Sequence, residues 1–215
     1  MSRQVNNLTY CFICLSICRY LEFKLLLSKI TNLLFYRPLA RIRLGFSGRN
    51  CRLGPNFYIS PYASFFIGDN FFSGPNGYFT SNSRCKVTIG KKVMFGPFVK
   101  IVAGNHNMVD LSCHSMDAPI ANADKGIHIE DGVWVGSSAI LLDGAHLGEG
   151  CVIGAGAVVT GYIPPYAIAV GVPARVIRCR FNSHDLEVML CNVASKYTMN
   201  SVLEMYPSTV LVGAK

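Results

Sequence analysis

Residues 127–160 read IHIEDG VWVGSS AILLDG AHLGEG CVIGAG AVVT, five complete hexads and the start of a sixth. Ile129, Val135, Leu141, Leu147, Ile153 and Val159 recur every six residues, and glycine follows three of them directly, at Gly136, Gly148 and Gly154. A helix repeats its apolar positions every three to four residues and a strand every two, so a strict six with turn-forming glycines predicts short flat segments folded around a prism. A second track lies two positions earlier, at Val133, Ala139, Ala145, Cys151 and Ala157. Two inward positions per hexad give a filled interior, which identifies a stacked β-helix.

The same two tracks occur upstream, as Ile89, Phe95 and Ile101 preceded by Val87, Val93 and Val99. A looser copy places Leu53, Ile59 and Phe65 after Cys51, Phe57 and Ala63, so the solenoid is expected to start near residue 50. Between about Ala103 and Gly126 both the spacing and the glycine rule lapse, as expected for a loop thrown out from one corner. The predicted organisation is a basic, apolar N-terminal helical segment over 1–49, a β-helix over 50–180 carrying the 103–126 loop, and a helical tail over 181–215.

The formal charge of +8 points to nucleic acid or a membrane only until it is mapped. Residues 1–52 hold nine Lys and Arg against the single acid Glu22, whereas the bases and acids of the remainder cancel. A neutral solenoid argues against a nucleic-acid groove along it. The apolar stretches Leu8 to Cys18 and Leu25 to Phe35 are shorter than the roughly 18 to 20 residues of a membrane span. No small-residue cleavage site follows the first, so the expected location is cytoplasmic. Leu26, Ile30, Leu33 and Leu34 at helical spacing, ended by Pro38, fit either a peripheral helix on an anionic inner membrane face or a cap on the open end of the solenoid.

Among nine cysteines, Cys51 and Cys151 fall on the small inward track and read as interior filler. Cys11, Cys14 and Cys18 have zinc-compatible spacing, yet no second Cys or His pair stands near them in sequence. An odd count also favours a reducing compartment. Near the other end, Pro164 and Pro165 cannot donate to a ladder, which predicts that the stack ends or is diverted there. Asn182 and Ser183 cap an expected terminal helix reaching Met205, with Leu186, Met189, Leu190 and Val193 on one face and His184 in solvent.

The reactive candidate is His106, in Gly104–Asn107 of the phase-breaking loop. Loops on a rigid scaffold carry catalytic groups, and an imidazole titrates near neutrality. His114 has weaker context, and His128 and His146 fall on outward solenoid positions, where a structural role is expected.

The hexads, the His106 loop, GVWVGS at 132–137 and the tail IGAGAVVTGYIPPYAIAVGVPARVIR at 153–178 resemble the hexapeptide-repeat acyltransferases, a left-handed β-helix group that includes galactoside, maltose and polysaccharide O-acetyltransferases. The resemblance spans residues 50 to 180 and implies the left hand, which the usual crossover rule would not predict. It further implies a homotrimer with acetyl-CoA between neighbouring prisms, His106 as general base, and no metal. Trp134, Gly136 and Ser137 then match a turn whose backbone meets the cofactor, Ala155 and Thr160 match contacts along the pantetheine arm, and Arg175 and Arg178 match bases beside the nucleotide phosphates. Asn76 and Asn82 are the expected acceptor-binding residues. Gly161 stands where relatives have Lys, and Ser81, Asn82 and Ser83 replace an acidic pair.

The implied activity is acetyl transfer from acetyl-CoA to a saccharide hydroxyl, as in a lipopolysaccharide, capsule or exopolysaccharide unit. A drug acetyltransferase of the same group is the alternative. A zinc hydratase on the same prism would need clustered His ligands, and the five histidines show no close pair in sequence. A non-enzymatic β-helix would have no use for the cofactor tail.

Overall fold

A computed structural model describes residues 19–20, 22–24, 26–27, 46–119 and 124–206. The chain divides into two units, Met1–Ile42 and Arg43–Lys215. In the first, the described residues between 19 and 27 are helical and expose Tyr20, Phe23, Leu26 and Leu27. Cys11, Cys14, Cys18 and Ile30, Leu33, Leu34 and Pro38, on which the zinc, cap and membrane-helix readings fall, lie outside the described residues. Among the described residues no helix is long and apolar enough to cross a membrane.

The second unit is a three-faced prism of short parallel strands. The first face stacks Phe46–Ser47, Phe65–Ile67, Val87–Ile89, Ile127–Ile129, His146–Leu147 and Tyr162–Ile163. The second stacks Arg52–Leu53, Phe72–Ser73, Met94–Phe95, Trp134–Val135, Val152–Ile153 and Ala167–Val170. The third stacks Tyr58–Ser60, Tyr78–Thr80, Lys100–Val102, Ile140–Leu142 and Val158–Val159. The first rung begins at Phe46, ahead of the expected residue 50.

Upper coils keep three hexads per turn, with Trp134 paired to Val152 and Ile140 to Val158. Both predicted tracks from Val133 to Val159 are buried, at 1% exposure or less. Each larger aliphatic of this column removed from water contributes about 1.5–3 kcal/mol. Glycine after the aliphatic is a steric need: a Cβ on Gly136 would lie 2.6 Å from the Ala155 nitrogen of the next coil.

Lower coils are longer, with Arg52 paired to Phe72 and Phe72 to Met94. Every added residue sits at one corner, where the chain passes from the third face to the first: a 3-10 turn at Tyr62–Ser64, then 81–86, then the 103–126 loop. The first of these displaces the hexad phase by two and the second by four. Ala63 is therefore exposed, and Phe65 and Ile67 take the inward positions, correcting the pairing of Ala63 with Phe65. Aromatic rings fill the interior here, with Phe79 packed against Phe57, Phe65 and Phe95 at centroid distances of 4.6, 6.1 and 5.6 Å.

Pro164 and Pro165 do not end the stack. They occupy a corner between Tyr162–Ile163 and Ala167–Val170, where no ladder N–H is required, and the ladder resumes with Val152 beside Ile168. Diversion comes afterwards, when Arg175–Cys179 turns back antiparallel to Ala167–Val170. The tail forms two helices where one was expected. Ser183–Asn192 is capped by Asn182 and buries Leu186 and Leu190, and Met199–Glu204 is capped by Thr198 and buries Val202. Val193 is exposed and lies between them; His184 is exposed as expected.

Candidate active site

His106 is exposed on the loop that leaves the third-to-first corner. Both roots of that loop are tied. Gly104 has a left-handed backbone (φ +86°) and leaves no room for a Cβ against the Asn82 amide. The Asn105 N–H donates to Asp124 Oδ1 at 3.0 Å, and Asn82 Nδ2 donates to Asp124 Oδ2 at 2.5 Å. Burial works against charge on Asp124, but these donors outweigh it and hold the carboxyl below its usual value. Nearby, burial and then the charges of Asp124 and Asp143 push the Cys85 thiol up to about 12. Cys85 is consequently a neutral thiol and not a nucleophile. Beyond His106 the loop exposes Met108, Val109, Leu111 and Met116 almost completely.

The opposite edge of the third face, at the second-to-third corner, carries Ser137 and Ala155 on consecutive coils, both exposed. Their amide N–H groups have no acceptor among the described residues. Gly136 precedes Ser137 at this corner, and Trp134 projects outward from the second face at 49% exposure. The hairpin turn above them ties into the same corner, through Val158 N–H to Gly171 O at 3.0 Å and Ala174 N–H to Val158 O at 2.8 Å. Arg175 starts the return strand at this point and Arg178 lies further along it. Their guanidinium groups reach only the backbone carbonyls of Ala174 and of Cys179 and Arg180, with no carboxylate partner among the described residues.

Other expected site residues are not brought together. Thr160 follows Val158–Val159 and lies on the His106 side of the third face, away from Ser137 and Ala155. Asn76 occupies a left-handed corner position (φ 59°) and accepts from Asn56 Nδ2 at 3.1 Å, in the same corner column as Ser137 but lower. Asn82 sits at the roots of the His106 loop, so the two asparagines lie on opposite edges of the face.

Residues 126–161 match the family described as bacterial transferase hexapeptide (six repeats). Galactoside O-acetyltransferase of Escherichia coli (strain K12) is 35% identical over 138 residues, covering 64% of each chain. A maltose O-acetyltransferase structure from Clostridium difficile 630 is 30% identical, with a TM-score of 0.59 over 73% of this chain and 83% of that one. The chain belongs to the hexapeptide-repeat acyltransferases. A further member, from Vibrio cholerae and solved with acetyl coenzyme A, is 28% identical with a TM-score of 0.60 over 68% of this chain and 76% of that one. The fold is thus the left-handed β-helix of that family. The chain spans just under two thirds of the Escherichia coli relative's length.

One polar cluster escaped the family pattern. His128 and His146 are 18 residues apart, one coil, so the ladder sets them side by side with ring centroids 4.8 Å apart. The two are not close in sequence, and the 18-residue spacing was the available signal that one coil would bring them together. Beside them lies the buried carboxylate of Glu130, which accepts from His146 Nε2 at 3.1 Å, Lys196 Nζ at 3.1 Å, Tyr197 OH at 2.9 Å and Glu149 N–H at 3.0 Å. Histidine, glutamate and histidine at this distance suit a cation in general. Here the Lys196 ammonium already serves as one, and both Glu130 oxygens are engaged. The cluster latches the tail to the first face of this hexapeptide-repeat protein. A cavity of about 740 Å³ opens beside it, walled by Phe66, Lys91, Tyr166 and Met189 and by none of the expected site residues.

The latch sets a pH response. Burial opposes charge on Glu130, but the donors from His146, Lys196 and Tyr197 prevail and lower its pKa. Burial, followed by the neighbouring His146, lowers that of His128. Both groups bind protons more readily when unfolded, so their contributions are complete above the unfolded values and are lost as pH falls through the folded ones. Lys196 and Tyr197 shift upward, placing their losses above about pH 10. The thermal midpoint should decline below about pH 6.5 and again below about pH 4.3. Glu130→Gln should lower stability by about 1–3 kcal/mol at pH values above about 4.3 and flatten the acid limb. Superimposable pH curves for the two proteins would contradict the latch.

Proposed function

We propose that the protein is an acetyl-CoA-dependent O-acetyltransferase that acetylates a hydroxyl of a saccharide. The observation that carries the reading is the column at the second-to-third corner, where unpartnered amides at Ser137 and Ala155 stand below Arg175. Such a column suits a long donor with polar amides along its arm and phosphates at one end. Trp134 and Gly136 flank this arm, and Arg178 adds a second cation. Thr160 fits this scheme only through a neighbouring copy.

The His106 loop and the donor column lie on opposite edges of one face, so a single protomer does not join base to donor. A closed ring of three copies, each presenting its donor edge to the next copy's loop, would join them, and it would cover Met108, Val109, Leu111 and Met116. Bound acetyl-CoA supplies an acyl thioester. His106 accepts the proton of the acceptor hydroxyl on one imidazole nitrogen as that oxygen attacks, and returns it to the departing sulfur. Free corner amides lie ready to donate to the carbonyl oxygen as its charge develops. Asn82 lies beside the loop roots, nearer this chemistry than Asn76, and its side chain serves there by holding Asp124 and the N–H groups of Arg84 and Cys85, while that of Asn76 is engaged in corner stacking.

The donor assignment is tested by replacing Arg175 and Arg178 together with alanine. Loss of two charge-assisted contacts, on the order of 1.5–3 kcal/mol each, should weaken acetyl-CoA binding by about 100-fold or more, while an acetyl-pantetheine donor without the nucleotide binds within about twofold of normal. Equal losses with both donors would show that these arginines do not read phosphate.

A further inference from the structure

We infer that Asp143 and Asp124 are positioning residues that clamp both roots of the 103–126 loop and thereby fix the place of His106. The inference rests on the reading of His106 as the base. Asp143 comes from the coil above the loop. Its Oδ1 accepts from the N–H of Gly104 at 3.2 Å and of Gly126 at 2.8 Å, and its Oδ2 from the N–H of Lys125 at 3.0 Å. A single carboxylate thus holds the outgoing and the returning strand of the loop together.

Asn82 grips from the coil below. Its Oδ1 accepts from the N–H of Arg84 and Cys85, at 2.9 and 2.8 Å, which sets its Nδ2 to hold Asp124. Asp124, at the returning root, in turn holds the N–H of Asn105, the residue before His106. His106 is therefore fixed one residue away by Asp124 and two residues away by Asp143, although its own ring is exposed and most of the loop beyond it is in solvent.

Cys85, Asp124 and Asp143 gather closely enough to suggest a metal instead. Their oxygens already accept from backbone and amide donors, so a metal would have to displace the ties that close the loop. The longest insertion of the solenoid emerges between coils that supply these two grips, at the corner where all the insertions fall. Misplacing a catalytic group by about 1 Å can cost on the order of 10²-fold in rate. That gives the clamp a functional consequence separate from folding.

The test uses the full chain with acetyl-CoA and a β-galactoside acceptor, together with hydrogen exchange at the amides of Gly104 and Gly126. Asp143→Ala should lower kcat by about 10- to 100-fold, leave KM for acetyl-CoA within about twofold, and speed exchange at both amides. Asp143→Asn keeps one oxygen for Gly104 and Gly126 and should recover much of the loss. Asp124→Ala, at a half-buried position, releases Asn105 and provides the same readouts should Asp143→Ala fold poorly. Parent kcat with unchanged exchange, or a KM that rises in step with the fall in kcat, overturns the proposal. An active His106→Ala protein would remove the base assignment on its own, and exchange at Gly104 and Gly126 would still decide the clamp.

Discussion

His106→Ala is expected to lower kcat by about 10²- to 10⁴-fold, the usual loss when a positioned proton acceptor is removed. The fold should survive, because His106 is exposed and contributes nothing to the buried tracks. Donor affinity should hold within about twofold, since Ser137, Ala155 and Arg175 occupy the other edge of the face. The decisive comparison is kcat and KM for acetyl-CoA beside the thermal midpoint of the same preparation. Near-normal kcat in a folded variant would exclude His106 from proton transfer.

Phe79→Ala should cause the largest loss of stability of any single truncation in the lower coils, about 3–5 kcal/mol. Phe79 is wholly buried and touches aromatic rings from its own coil and from the coils on either side. Its neighbours are strands pinned in register, so the walls have little freedom to close on the void. In a domain of this size the thermal midpoint should drop by on the order of 10 °C. Phe79→Leu should lose less, because part of the volume is kept. A midpoint within about 2 °C of the parent would mean that the lower coils are not packed as described.

The upper coils were legible in the sequence because one spacing rule, six residues to each face, holds throughout them. A corner lying against the next coil's backbone requires glycine, as at Gly136, and two inward side chains per hexad fill a prism of constant width. Below Ile101 the rule survives on two faces and fails at the third-to-first corner, where added residues displace the phase. Ala63 and Phe65 were therefore read two positions out of step. Pro164 and Pro165 were misread for a related reason, since the cost of a missing N–H depends on whether the position is in a ladder or at a corner.

His106 was legible as an imidazole on a segment that abandons the repeat, and it stands exposed there. Glu130 was not, because its partners Lys196 and Tyr197 come from a helical tail whose docking leaves no periodic trace. The grip of Asp143 on Gly104 was hidden as well. In sequence it is one more polar corner residue, and only the stacking of coils sets it over the root of a loop some forty residues earlier.

The central claim is acetyl transfer to a saccharide, and the most direct measurement is product analysis after incubating the full chain with acetyl-CoA and a panel of mono- and oligosaccharides, with a hydroxyl-bearing antibiotic as competing acceptor. The account predicts free thiol released in step with an acetyl ester on a sugar hydroxyl, both abolished in His106→Ala. Thiol release with the antibiotic and with no saccharide, or no consumption of acetyl-CoA with any acceptor, would contradict it.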